Sequence, residues 1–68
     1  MKNTKRYDLI AERKRNGYTQ QELADSLGVS VATIANWEDR TSAPNAALII
    51  PLANALKVRV EDVVRMFA

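Results

Sequence analysis

Six cationic side chains, Lys2, Lys5, Arg6, Arg13, Lys14 and Arg15, crowd the first fifteen residues, opposed there only by Asp8 and Glu12. Residues 16–40 reverse the balance, with Arg40 set against Glu22, Asp25, Glu38 and Asp39. A basic end on a chain whose net charge is only +2 suits phosphate neutralisation. Lys2 and Lys5 suit a solvated, flexible arm over residues 1–5 equally well. The other candidate chemistry is carboxylate chemistry. Each of the eight Asp and Glu residues reads as a helix cap, an ion-pair partner or a solvated surface group, and no two stand apart as acid and base. The chain has no cysteine and no histidine, which excludes thiolate nucleophiles, imidazole bases, disulfides and the usual zinc ligands together. No glycine-rich phosphate loop is present. The expectation is a protein that is not an enzyme, with no metal, no cofactor and no small-molecule substrate.

The elements that must position the cations follow from length and periodicity. Sixty-eight residues suit one domain over residues 1–68. A domain of this size buries only about 60% of the surface its unfolded chain exposes. A hydrophobic share of 47% is enough for one core, but not for a core and a deep substrate cavity. No apolar run approaches the roughly 20 residues a bilayer span needs, and residues 1–18 lack the apolar centre of a signal peptide. The absence of cysteine fits the cytoplasm. Nothing reads as a strand. Apolar residues recur three and four apart between short capped segments, which predicts an all-α fold.

A first helix is expected over residues 6–16, ended by Gly17 in the left-handed conformation. A second opens on Thr19, with Glu22 completing a capping box, turns Leu23, Ala24 and Leu27 inward, and ends at Gly28. Ser30 caps a third over residues 31–39, with Ile34 and Trp37 inward. Trp37 and Tyr18 read as packing residues. A polar loop leads through Pro44 to a fourth helix over residues 45–56, with Ile49, Leu52, Ala53 and Leu56 facing the core. A fifth covers residues 60–67. Pro51 interrupts the fourth pattern, because it cannot donate to the Ala47 carbonyl. The helix either kinks there or becomes regular only near Ile50, with Pro51 in its first turn, and the second reading is preferred.

Gly28-Val29-Ser30 separates the second and third helices. A three-residue turn with glycine first gives the steep crossing of a DNA-binding helix-turn-helix. In such a unit the second helix enters the major groove by its first residues. The spacing alone also fits any glycine-turned helical hairpin. The stretch Gly17-Tyr18-Thr19-Gln20-Gln21-Glu22-Leu23-Ala24, then Gly28-Val29-Ser30, then Thr33-Ile34-Ala35-Asn36-Trp37-Glu38, closely resembles the phage-repressor-like, or Xre-type, helix-turn-helix family. The resemblance continues through Pro44 to Leu52-Ala53-Asn54-Ala55-Leu56-Lys57-Val58 and spans about residues 7–64. It implies a compact five-helix, lambda-repressor-like domain that binds double-stranded DNA.

The resemblance also implies roles for single residues. Gln20 matches a phosphate-contacting glutamine, at a helix start where free N–H groups favour an anion. Val31, Ala32, Thr33 and Asn36 match base-reading positions. Asn36 suits a bidentate contact to adenine, Val31 and Ala32 suit thymine methyls, and Thr33 suits a base edge or a phosphate. Val31 as a half-core residue and Thr33 as part of the Ser30 cap are the plainer alternatives. Arg13 and Glu38 match a pair tying the first helix to the end of the third, with a secondary phosphate role for Arg13. Lys14, Arg40, Thr41 and Ser42 are further backbone candidates. The sequence departs from the family at three places. Arg40 and Lys57 stand where glycine is usual, and Arg59 stands where a serine N-cap is expected.

These readings together predict a transcriptional regulator, a repressor, that binds a pseudo-palindromic operator as a homodimer. The third helix carries no charge from Val31 to Trp37, so one copy binds only modestly and two-fold pairing doubles its contacts. Val60 and Val63 suffice to cover the fourth helix. That leaves Val64, Phe67 and Met66 as candidates for the dimer interface, with completion of the monomer core as the alternative for Phe67. A rival of another class is a protein-interaction module on the same fold, an antitoxin or anti-repressor component without DNA binding of its own.

Overall fold

The computed structural model describes residues 8–68. Five helices form among them: α1 (Leu9–Arg15), α2 (Gln20–Leu27), α3 (Val31–Glu38), α4 (Ala46–Leu56) and α5 (Val60–Met66). No strand occurs among the described residues, so the fold is all-α as the periodicity predicts. The cationic arm expected over residues 1–5, and Arg6 with it, lie outside the described residues.

Four of the five helices begin where an N-cap side chain accepts from their orphan N–H groups. α1 starts at Leu9, three residues later than expected, because Asp8 caps it by accepting from the N–H groups of Ile10 and Ala11. Thr19 and Glu22 form the capping box of α2. Ser30 accepts from Thr33 N–H at the start of α3. Asn45 accepts from Leu48 N–H at the start of α4. At α5 the expected serine is replaced by Arg59, which has no acceptor to offer. Only the reciprocal half of a capping box remains, with Asp62 accepting the Arg59 N–H at 3.2 Å and the Arg59 guanidinium at 3.3 Å. That hydrogen bonding holds the buried Asp62 carboxyl below its ordinary pKa of 3.8, against the opposing effect of its burial.

Four helices end alike. An N–H two or three residues past the helix reaches back five residues: Tyr18 to Arg13, Val29 to Ala24, Thr41 to Asn36 and Val58 to Ala53. The residue just before that donor must be left-handed in this motif. Gly17 and Gly28 take that place after α1 and α2, whereas Arg40 at φ 63° and Lys57 at φ 58° take it after α3 and α4. The glycine replacements therefore keep the loop shapes and carry a left-handed β-carbon. After α1, α2 and α4 the donor residue is hydrophobic and packs on the core, as Tyr18, Val29 and Val58 do.

The core gathers Leu9, Leu23, Ala24, Ile34, Trp37, Leu52, Ala53, Leu56, Val63 and Met66. The fourth helix corrects the preferred reading of Pro51. α4 is helical from Ala46, with Pro51 well inside it. Its Asn45 cap and the packing of Leu48 and Ile49 on the core hold the first turns. Pro51 itself is exposed, so its ring meets solvent and not a neighbouring helix. The fifth helix brings a second correction. Met66 is 1% exposed and belongs to the core, which removes it from the interface candidates. Val60, expected to cover the fourth helix, is instead exposed. Phe67 is half-buried and packs on the core, while Val64 stays 51% exposed.

One cross-link was not legible beforehand. Asn16, at the end of α1, donates its side-chain amide to the carbonyls of Glu12 and Leu56, at 2.9 and 2.8 Å. It thereby joins the end of α1 to the end of α4. Beside it, buried Glu12 pairs with Arg15. No helix among the described residues is long and apolar enough to cross a membrane.

Candidate nucleic-acid interface

α2 and α3 are joined by Gly28, Val29 and Ser30, with Gly28 left-handed at φ 71° and Val29 packed on the core. This turn fixes α3 by one face only. Ile34 and Trp37, three apart, are buried, while Val31, Ala32 and Asn36 are exposed on the other side. Helical spacing of 100° per residue puts those three within about 140° of arc. Val31, 39% exposed, is a surface residue and not part of the core. The outward face of α3 thus shows an isopropyl group, a methyl and a carboxamide, a set able to contact thymine methyls and one adenine edge. Thr33 is half-buried and its hydroxyl lies 3.0 Å from Ser30 Oγ. Its alternative reading as part of the cap is the one its geometry supports in the free protein.

Behind this face Glu38 ends α3 and gathers two other helices. Its Oε2 accepts from Arg13 Nε at 2.6 Å, and its Oε1 accepts from Gln20 Nε2 at 2.8 Å. The Arg13 and Glu38 side chains are 11% and 6% exposed. Arg13 also donates Nη1 to the Tyr18 carbonyl at 2.9 Å. The pair expected between the first and third helices is therefore present, and desolvated, so its removal costs far more than a surface pair. Breaking such a pair costs about 3–5 kcal/mol, against about 0–1 kcal/mol for an exposed one. The bond from Gln20 to Glu38 was missed. Gln20 and Glu38 lie eighteen residues apart, and only the crossing of α2 over α3 brings them together.

The remaining backbone candidates differ in what is left to them. Lys14 and Arg40 are exposed and make no ion pair among the described residues. Thr41 spends its hydroxyl on the Asn36 carbonyl, 3.2 Å away, and so braces the end of α3. Ser42 is exposed. Arg40, Ser42 and Ala43 border an open cleft of about 350 Å³ whose other wall is Phe67 and Ala68. The loop after α3 and the end of α5 therefore form one continuous surface.

This architecture defines a helix-turn-helix unit supported by three further helices. A family model described as helix-turn-helix matches residues 9–63, and the chain belongs to that Xre-type helix-turn-helix family. Two proteins of Bacillus subtilis (strain 168) are similar to it. YazB, named as an uncharacterized HTH-type transcriptional regulator, is 36% identical over 52 residues, covering 76% of this chain and 75% of its own. YgzD, named in the same terms, is 33% identical over 51 residues, covering 75% and 77%. No solved structure matches the chain.

Proposed function

We propose that this protein is a sequence-specific, double-stranded DNA-binding transcriptional regulator without enzymatic activity, acting as a repressor. The observation that carries this reading is the uncommitted outward face of α3. Val31, Ala32 and Asn36 are exposed there, and among the described residues none of their side chains makes a hydrogen bond or ion pair. α3 lies in the major groove, Asn36 reads an adenine, and Val31 and Ala32 pack on methyls. Gln20, Lys14, Arg40 and Ser42 contact the backbone on either side. Family membership and the names of the two relatives support DNA binding in regulation. The homodimer is proposed on two grounds. The uncharged reading face needs a second copy for affinity, and Val64 on α5 is 51% exposed, with half-buried Phe67 three residues on.

A fluorescence anisotropy titration with a labelled random-sequence duplex tests the reading. Weak, salt-sensitive binding is expected, because nonspecific affinity comes from phosphate neutralisation. A protein that binds no duplex at any salt concentration is instead the interaction module of the rival reading.

A further inference from the structure

Glu38 sits at the junction of three helices with both oxygens occupied, one by Arg13 Nε and one by Gln20 Nε2. A carboxylate only accepts hydrogen bonds. The atom of the Gln20 amide that meets it must therefore be nitrogen, and the amide orientation, often ambiguous, is fixed by its partner's chemistry. One Nε2 hydrogen is held by Glu38. The other remains available, beside the Gln20 backbone N–H at the first position of α2, which has no acceptor within the helix.

We infer that Glu38 is a positioning residue that presents Gln20 to a DNA phosphate. The inference rests on the DNA-binding reading and deepens it. A long glutamine side chain loses rotamer freedom worth up to about 2 kcal/mol when it is ordered. Here the ordering is complete before DNA arrives, so the phosphate contact forms without that loss. Glu38 carries a charge that would repel a phosphate, and Arg13 cancels it at 2.6 Å. The triad divides the work: Glu38 orients, Arg13 neutralises, and Gln20 alone makes the contact. Arg13 is then a balanced ion, unlike Lys14 and Arg40, which have no anionic partner among the described residues.

Glu38→Gln is the discriminating change. The introduced amide keeps the shape and still offers Arg13 a carbonyl oxygen. It turns an NH2 group toward Gln20, so the Gln20 amide must flip or let go. Binding to a labelled random-sequence duplex at about 50 mM salt, where phosphate contacts dominate, is compared for wild type, Glu38→Gln, Gln20→Ala and the double variant. Gln20→Ala is expected to weaken binding about tenfold, the scale of one lost charge-assisted contact, and Glu38→Gln by less, because the Arg13 charge it leaves unbalanced attracts phosphate. The double variant is expected to be no weaker than Gln20→Ala alone, because Glu38 acts through Gln20. Losses that multiply would overturn the positioning role and leave DNA binding intact. Wild-type protein that binds no duplex would overturn both. NMR relaxation of the Gln20 Nε2 group in the unmutated, DNA-free protein tests the same point without any variant. A side chain immobile on the picosecond-to-nanosecond scale is expected, and a freely rotating one would overturn the inference.

Discussion

Lys57 closes α4 at φ 58° and ψ 42°, a conformation glycine adopts freely and a residue with a β-carbon does not. Gly28 closes α2 at φ 71° and ψ 30°, with the same pattern of backbone hydrogen bonds. The two positions are one experiment run in opposite directions. A left-handed β-carbon costs about 1–2 kcal/mol. Glycine returns about 0.5–1 kcal/mol of that through its greater freedom in the unfolded chain. Lys57→Gly should therefore stabilise the fold by about 0.5–1 kcal/mol, and Gly28→Ala should destabilise it by a similar amount. A β-carbon on Gly28 would meet nothing within 4 Å, so no clash contributes to the second value. In a domain this small 1 kcal/mol moves Tm by about 4–8 °C. Thermal melts followed by circular dichroism should show Lys57→Gly melting higher and Gly28→Ala melting lower than wild type. If Lys57→Gly melts lower, the lysine stabilises the helix end by more than its backbone strain costs, and the account of that turn is wrong.

Asp62, held below its ordinary pKa by Arg59, stabilises the folded chain above the unfolded value of 3.8 and loses that contribution as pH falls through the folded value. Asp62→Asn should therefore lose less stability than wild type on acidification from about pH 5 to pH 2, read as Tm against pH. Arg40→Ala should lower the slope of log affinity against log salt by about one unit with little change in sequence preference; an unchanged slope means that Arg40 points away from DNA. Asn36→Ala should weaken operator binding by about 1–3 kcal/mol and relax one base position; retained affinity and preference would remove it from the reading face. Val64→Lys should give a folded monomer in sedimentation equilibrium with an unchanged melt, whereas Phe67→Lys, at a half-buried site, should lower the melting temperature as well. A Val64→Lys variant that stays dimeric would move the interface elsewhere.

The helix boundaries were legible wherever a cap is local. Thr19 with Glu22, and Ser30, begin their helices as read, because capping depends on residues within one turn. Gly17 and Gly28 end theirs for an equally local reason. The start of α1 at Leu9 and not Arg6 also has a local signal, Asp8 before a periodic apolar stretch. What the sequence did not reveal depends on how helices cross. Nothing near Asn16 points to the Leu56 carbonyl forty residues away, and nothing near Gln20 points to Glu38. The fifth helix shows the same limit. Val60 and Met66 are both apolar, and only the docking of α5 on α4 decides that Met66 goes inward and Val60 does not. Pro51 breaks the local pattern, yet the Asn45 cap and the packing on either side hold α4 together despite the lost hydrogen bond, and neither is visible at the proline itself.

The central claim is that α3 reads DNA sequence as one half of a two-fold pair. Selection of bound duplexes from a random pool tests it most directly. The account predicts an enriched site of two inverted half-sites with centres about 10 base pairs, one helical turn, apart. Each half-site should contain an adenine whose enrichment disappears with Asn36→Ala. A pool that shows no enriched sequence after repeated rounds, from a protein that remains folded throughout, would contradict it.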